Sequence, residues 1–316
     1  MCLYQKEVNN LRDEIARDLR FSARSYYTIG MGVFHESRMK GWVDFQPAIG
    51  NIAISVELLL KAVVAQKALR MLYSNLPDEA QLLLCYPEAL TKEHNALSYI
   101  SDMKSFSFKA IELDKSISLF YHFFPELKQE YKQFFTSLSS VRNISVHASV
   151  PDFQKYELER IAYFSTRLFI AISELDVFKY FKTKVDDKTG NFLKYYEDEK
   201  VKKVKTALDK ARDKVKRGNL DEPSYSSTDW DSMNLECPIC DNPAFLYGET
   251  EETIDENGVD LTFQCESFSC EACGLELEDY EELELAGIDS SHDRNEDVDQ
   301  WVEEHHHEYH DEHERW

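Results

Sequence analysis

Two pairs of cysteines constrain the C-terminal part of this chain more tightly than any other feature. Cys237-Pro238-Ile239-Cys240 and Cys270-Glu271-Ala272-Cys273-Gly274 are two Cys-x2-Cys turns separated by 29 residues. Such a turn delivers two thiolates to one metal, and zinc takes four soft or borderline ligands in a tetrahedron. Cys265 is a further thiol nearby and an alternative to Cys270, although Cys270 has the better spacing. Residues 244–248 and 259–265 alternate or cluster apolar side chains as short strands do, and Glu256-Asn257-Gly258 supplies a hairpin turn. The pattern predicts a zinc ribbon over residues 233–280, two knuckles gripping Zn2+ under a three-stranded sheet. So small a core hardly stabilises itself, so the metal is expected to be structural, with no open position for chemistry.

The first 180 residues predict helix after helix. Val8, Leu11, Ile15 and Leu19 recur at spacings of three and four, one buried stripe. From Pro47 to Leu72 the chain is apolar on nearly every side, as the central helix of a bundle would be. Weaker helical patterns cover about 79–103 and 114–124. A stronger one starts after Pro125 and is expected to stop before Pro151, because the residue before proline resists helical geometry. Another runs from about 154 to 182. The expected fold is mainly α, with a helical bundle over 1–185. Asp186-Asp187-Lys188-Thr189-Gly190 reads as a break, followed by a basic connecting helix over 190–218. In it Val201, Val204, Leu208, Ala211 and Val215 form a short heptad seam, which packs either on its own domain or on a partner. A linker over 219–232 follows.

Charge is divided along the chain. The formal net charge is −23, yet residues 1–220 carry +6 and residues 221–316 carry −29. The 179–217 stretch alone carries +7, so the overall sign does not exclude a nucleic-acid partner. Residues 281–316 read as an acidic, His-rich, partly disordered tail ending around His305-His306-His307, where a second metal site is conceivable. The most apolar run is interrupted by Glu57 and Lys61 and is too short to predict a membrane span. Seven cysteines without a secretion signal in the first residues predict a reducing compartment, the cytoplasm by default.

The helix after Pro125 ends in Val141-Arg142-Asn143-Ile144-Ser145-Val146-His147. An ideal helix sets Arg142 and His147 about 140° apart, so they do not easily clasp each other. They can serve one phosphate if the helix loosens, or if two such motifs face each other across a dimer. With Glu57-Leu58-Leu59-Leu60-Lys61 on an early buried helix and His94-Asn95-Ala96-Leu97 before the middle helices, residues 10–180 resemble the HEPN-domain family, in the group with an Arg-Asn-x3-His motif. The resemblance implies a metal-independent endoribonuclease, usually a homodimer, that acts as a toxin or antiviral effector and needs no cofactor for catalysis. RNA is the implied substrate, with tRNA as one candidate, and a regulatory protein is a further candidate partner. Arg142, Asn143 and His147 would be catalytic, with Glu57 and Lys61 an i,i+4 pair near the cleft. Two other readings stand beside it: a HEPN module that binds RNA or a nucleotide without cutting, and an adaptor acting through the ribbon and the acidic tail.

Overall fold

The computed structural model describes residues 4–41, 45–89, 96–105, 107–147, 155–175, 185–223, 230–255 and 258–305. The chain divides into two compact units, Met1–Lys194 and Tyr195–Trp316.

The first unit is helical. Its longest element, α1 (Gln5–Met39), packs along α2 (Gln46–Ala68). The stripe expected from spacing is the buried one: Val8, Leu11, Ile15 and Leu19 all face the interior. At Gly30 the two helices approach so closely that a Cβ would stand 2.8 Å from Ile52 Cγ1 and 3.1 Å from the Ala48 carbonyl oxygen. Helix α2 is buried on most sides, including Ile52, Val56, Leu59, Leu60 and Val63. With the 3-10 turn that follows, it is apolar and long enough to cross a bilayer by composition alone. The most apolar window is 67% buried within the fold, as in a core helix.

Helices α3 (Asp78–Cys85) and α4 (Ala96–Lys104) replace the single weak pattern expected over 79–103. Next come α5 (Leu113–Phe123), α6 (Lys128–His147) and α7 (Lys155–Glu174). Their interface is aromatic: Phe120, Tyr131, Phe134, Phe135 and Phe164 form a chain of edge-on, tilted and stacked rings. Rings of this size bury large areas and lock crossing geometry, which orients α6 against α7. Tyr27 on α1 joins them by a 2.8 Å hydrogen bond to Thr166 Oγ1, and Arg38 donates to the buried carboxylate of Glu159 at 3.1 Å.

The turn-forming run at 186–190 is not a break but a cap. Asp186 accepts from the Thr189 backbone N–H at 2.8 Å and starts α8 (Asp187–Lys216), so the boundary between units falls inside that helix. Phe192 on its first turns stacks edge-on against Phe34 in the first unit.

The second unit is a five-stranded antiparallel sheet with the rest of α8 and two short helices. Strands β1 (Ser232–Glu236), β2 (Pro243–Asp255), β3 (Gly258–Cys270) and β4 (Leu275–Leu277) are adjacent in that order, and β5 (Ser291–Asp293) pairs with β3. The expected short strands are thirteen residues each, joined where a hairpin was predicted. The register slips between Tyr247 and Gly248, where β3 passes so near that a Cβ on Gly248 would lie 1.9 Å from the Gln264 carbonyl oxygen.

One expectation is corrected here, and one open alternative is decided. The acidic tail does not begin at 281: α9 (Tyr280–Ala286), β5 and α10 (Val298–His305) all belong to the folded unit. Leu283 is fully buried and Ile288 nearly so, and Arg294 is buried beneath the Trp230 and Phe263 rings. Acidic composition masked these anchors, because a few apolar side chains and one well-bonded guanidinium suffice to hold a short segment. The histidines from His306 onward lie outside the described residues. The heptad seam, for its part, is not left for a partner: Val204 and Ala211 are buried in the second unit's core, with Leu208 and Val215 packed beside them, and only Val201 is exposed.

Candidate metal centre and the α6 motif

The four predicted ligands meet. The sulfurs of Cys237, Cys240, Cys270 and Cys273 all lie within 4.8 Å of one another. Cys237 Sγ is 3.7 Å from Cys273 Sγ, and Cys240 Sγ is 3.5 Å from Cys270 Sγ. A tetrahedron with metal–sulfur bonds of about 2.3 Å has edges of about 3.8 Å, so these separations fit one metal ion such as zinc. They are far too long for disulfides, and all four thiols are free.

The two knuckles are built alike. In the first, the Asp241 N–H donates to the Cys237 carbonyl at 3.0 Å; in the second, the Gly274 N–H donates to the Cys270 carbonyl at 2.8 Å. Each turn closes on a left-handed residue, Asp241 at φ 57° and Gly274 at φ 73°. Glycine adopts that conformation freely and aspartate tolerates it, so both turns bring their sulfurs to the same side. Asn242 then reinforces the first knuckle, its side chain donating to the Cys240 carbonyl at 3.1 Å and its carbonyl accepting from the Cys237 N–H at 2.8 Å.

Electrostatics at the site oppose bare thiolates. Burial pushes the Cys237 thiol up to about 11 and raises Cys273 further. Burial works the same way on Cys240, but hydrogen bonds involving Asn242 and the neighbouring sulfurs outweigh it and hold that thiol below its ordinary value. Four adjacent thiolates in a buried position need a cation to coexist, which a divalent metal supplies. Cys265 is buried and stands outside the cluster, with burial pushing it up to about 12. Cys270, not Cys265, therefore completes the set.

A separate set of ion pairs in the second unit ties α8 to residues 278–282. Lys200 on α8 is buried, donating to Asp279 at 2.9 Å and pairing with Glu281. Lys203 bridges Glu278 at 2.5 Å and Glu282 at 2.8 Å. Burial disfavours its charge, but the two carboxylates outweigh that and raise its pKa. Asp279 also caps α9, accepting from the Glu282 N–H at 3.0 Å, while Glu282 reaches back to the Glu278 N–H. These carboxylates are structural partners of α8, so Lys200 and Lys203 are not available to phosphates as a basic connecting helix would offer them. The only sequence signal for this was Asp279 followed three residues later by Glu282, a capping pattern.

In the first unit, Arg142, Asn143 and His147 lie in the last two turns of α6 by their backbone. Helix α6 packs against α2 and α7. On α2, Lys61 Nζ is 2.6 Å from Glu57 Oε1, the expected i,i+4 pair, with both side chains mostly buried. His94 and Asn95 lie outside the described residues. No family model, curated protein or solved structure matches the chain.

Proposed function

We propose that the protein is a HEPN-type, metal-independent endoribonuclease whose second unit is a zinc ribbon with a structural role. The observation that carries the reading is the Arg142-Asn143-x3-His147 motif in the last turns of α6, in an all-helical unit whose apolar α2 bears the Glu57–Lys61 pair. Cutting RNA without a metal requires a base to take the ribose 2′-hydroxyl proton and an acid to protonate the leaving 5′-oxygen. An imidazole serves either role near neutral pH. A guanidinium offers a planar fork to the phosphate as charge builds on it. Asn143 would orient the imidazole or bond a phosphate oxygen. The product is a 2′,3′-cyclic phosphate, and DNA, lacking the hydroxyl, resists.

The angular offset of Arg142 and His147 on one helix favours a homodimer in which two motifs complete one cleft. Toxin or antiviral action in the cytoplasm, tRNA as a substrate and a regulatory protein partner belong to the same reading. The metal carries no step of the chemistry; its four thiolate ligands hold the two knuckles together.

The test is to incubate total cellular RNA with the zinc-loaded protein in magnesium-free buffer, beside a His147→Ala variant. Discrete fragments with cyclic-phosphate ends are expected from the native protein, and at least a hundredfold less product from the variant at unchanged helicity. Equal cleavage by both would sink the mechanism. RNA retained but uncut by either would favour a non-catalytic RNA-binding module.

A further inference from the structure

Helix α1 buries one face in the first unit through Leu11, Ile15, Leu19, Ala23 and Tyr27. Its opposite face carries a groove of about 570 Å³ whose described lining comes wholly from α1. Two exposed guanidinium groups, Arg17 and Arg24, stand along it with the half-buried Arg20 between them, while Asp13 and Glu14 line the adjoining groove that Arg17 and Arg20 share. Between them Phe21 is 73% exposed, and Ile29 is 54% exposed one turn further on. Asp18, the partner of Arg17 at 3.1 Å, lies outside the groove in an exposed pair of the kind that competes weakly for a cation.

What sets this ring apart from an ordinary exposed side chain is its place between two exposed cations, which say what would cover it. We infer that this face of α1 is a docking surface for single-stranded RNA, with Arg17 and Arg24 on backbone phosphates and Phe21 stacked on an unpaired base. The inference rests on the reading of the protein as RNA-directed. From Arg17 to Arg24 the helix rises about 10.5 Å, so the cations track a backbone instead of converging on one anion. Every base has a π-face and every nucleotide a negative charge, so an alternation of guanidinium and ring suits a single strand without reading its sequence. Duplex RNA hides its base faces, which leaves Phe21 without a partner. A membrane surface fits less well, because an interfacial helix buries a continuous apolar face, and that face of α1 is already inside the protein.

Binding of a labelled, unstructured RNA 20-mer to the full-length His147→Ala protein, followed across a salt series, tests this without cleavage. Replacing Arg17 and Arg24 by Ala is expected to flatten the slope of log affinity against log salt by about 1.4, and Lys at both positions to restore it. Phe21→Ala is expected to weaken binding about tenfold with the slope unchanged. Since these side chains are exposed, thermal stability should stay constant and serves as the folding control. Unchanged affinity and slope in these variants would overturn the assignment. So would the absence of RNA binding, or equal Phe21-dependent binding to duplex RNA, to anionic vesicles or to an acidic peptide. The nuclease reading fails separately: RNA bound through α1 but never cut by the native protein removes the nuclease and keeps the surface. Cleavage and binding indifferent to α1 remove the surface and keep the nuclease.

Discussion

Single side chains decide which cysteines can hold a metal. Cys265 and Cys270 are both buried, yet only Cys270 stands in the four-sulfur cluster. Cys270→Ser is therefore expected to lower zinc content well below one per chain, and Cys265→Ser to leave it at one, as measured by a colorimetric zinc assay on the purified protein. Tyr27 offers a second residue-scale test. Burial pushes its phenol up to about 12 against an ordinary 10.0, partly offset by the bond to Thr166. A raised folded-state pKa means that the neutral form is preferred in the fold. The stabilisation is complete below pH 10 and is lost as pH rises from 10 toward 12. Melting temperature should fall across that window, and Tyr27→Phe should make the fall shallower; an identical profile in the variant would assign the loss to other groups. Tyr73 and Tyr131 are raised by burial as well and steepen the same limb.

At the scale of elements, backbone approach matters more than side-chain chemistry. The β2–β3 hairpin is thirteen residues on each arm, and its register changes at Gly248, where no Cβ fits against Gln264. The obstacle is backbone, which cannot swing aside as a side-chain tip does. Gly248→Ala should destabilise the second unit by about 3 kcal/mol or more. The change can be read in thermal melts followed by the fluorescence of Trp230 and Trp301, whose rings meet 4.9 Å apart, in a background with Trp42 and Trp316 replaced by Phe. A shift under a degree would mean that the hairpin re-registers without cost. The same logic acts between α1 and α2 at Gly30, although there the nearest atom belongs to a side chain.

Across the whole molecule, the two units depend on different forces. The first rests on a core of aliphatic and aromatic side chains from α1, α2, α5, α6 and α7. The second gathers its core around the sulfurs of Cys237, Cys270 and Cys273, with Phe263, Phe268 and Leu275 beside them. Removing the metal leaves buried thiols facing one another and withdraws binding energy on which folding of so small a unit draws. A strong chelator should therefore abolish the Trp230 and Trp301 fluorescence transition, read in a Trp42→Phe background, while most of the helical circular dichroism of the first unit persists. Loss of both signals together would show that the units do not fold independently. Acid should act in the same direction as the chelator, because protons compete with metal for thiolates.

How much of this was legible in the chain follows from how local each signal is. Helical periodicity identified the buried stripe of α1 and the all-apolar α2, because burial of a helix face repeats every three to four residues whatever it packs against. The metal ligands were legible for the same reason: a Cys-x2-Cys turn is complete within four residues, and its partner is a second such turn. The Arg142-Asn143-x3-His147 motif was legible as a pattern, and its backbone lies where the spacing put it, at the end of α6. What tertiary structure alone decided are pairings between distant segments. Lys200 and Lys203 read as exposed cations of a connecting helix, Glu278 and Asp279 as the end of the ribbon and Glu282 as a solvated tail, until folding set them against one another across some 80 residues. Arg294 had no signal at all, since its carbonyl partners on Trp230 and Ser232 are backbone groups that no side-chain pattern announces. Sequence by itself settled the local geometry and the two cysteine turns; only the closed chain determined that Cys270 and not Cys265 joins the cluster, which charges face water and which hold the fold, because that depends on what lies opposite.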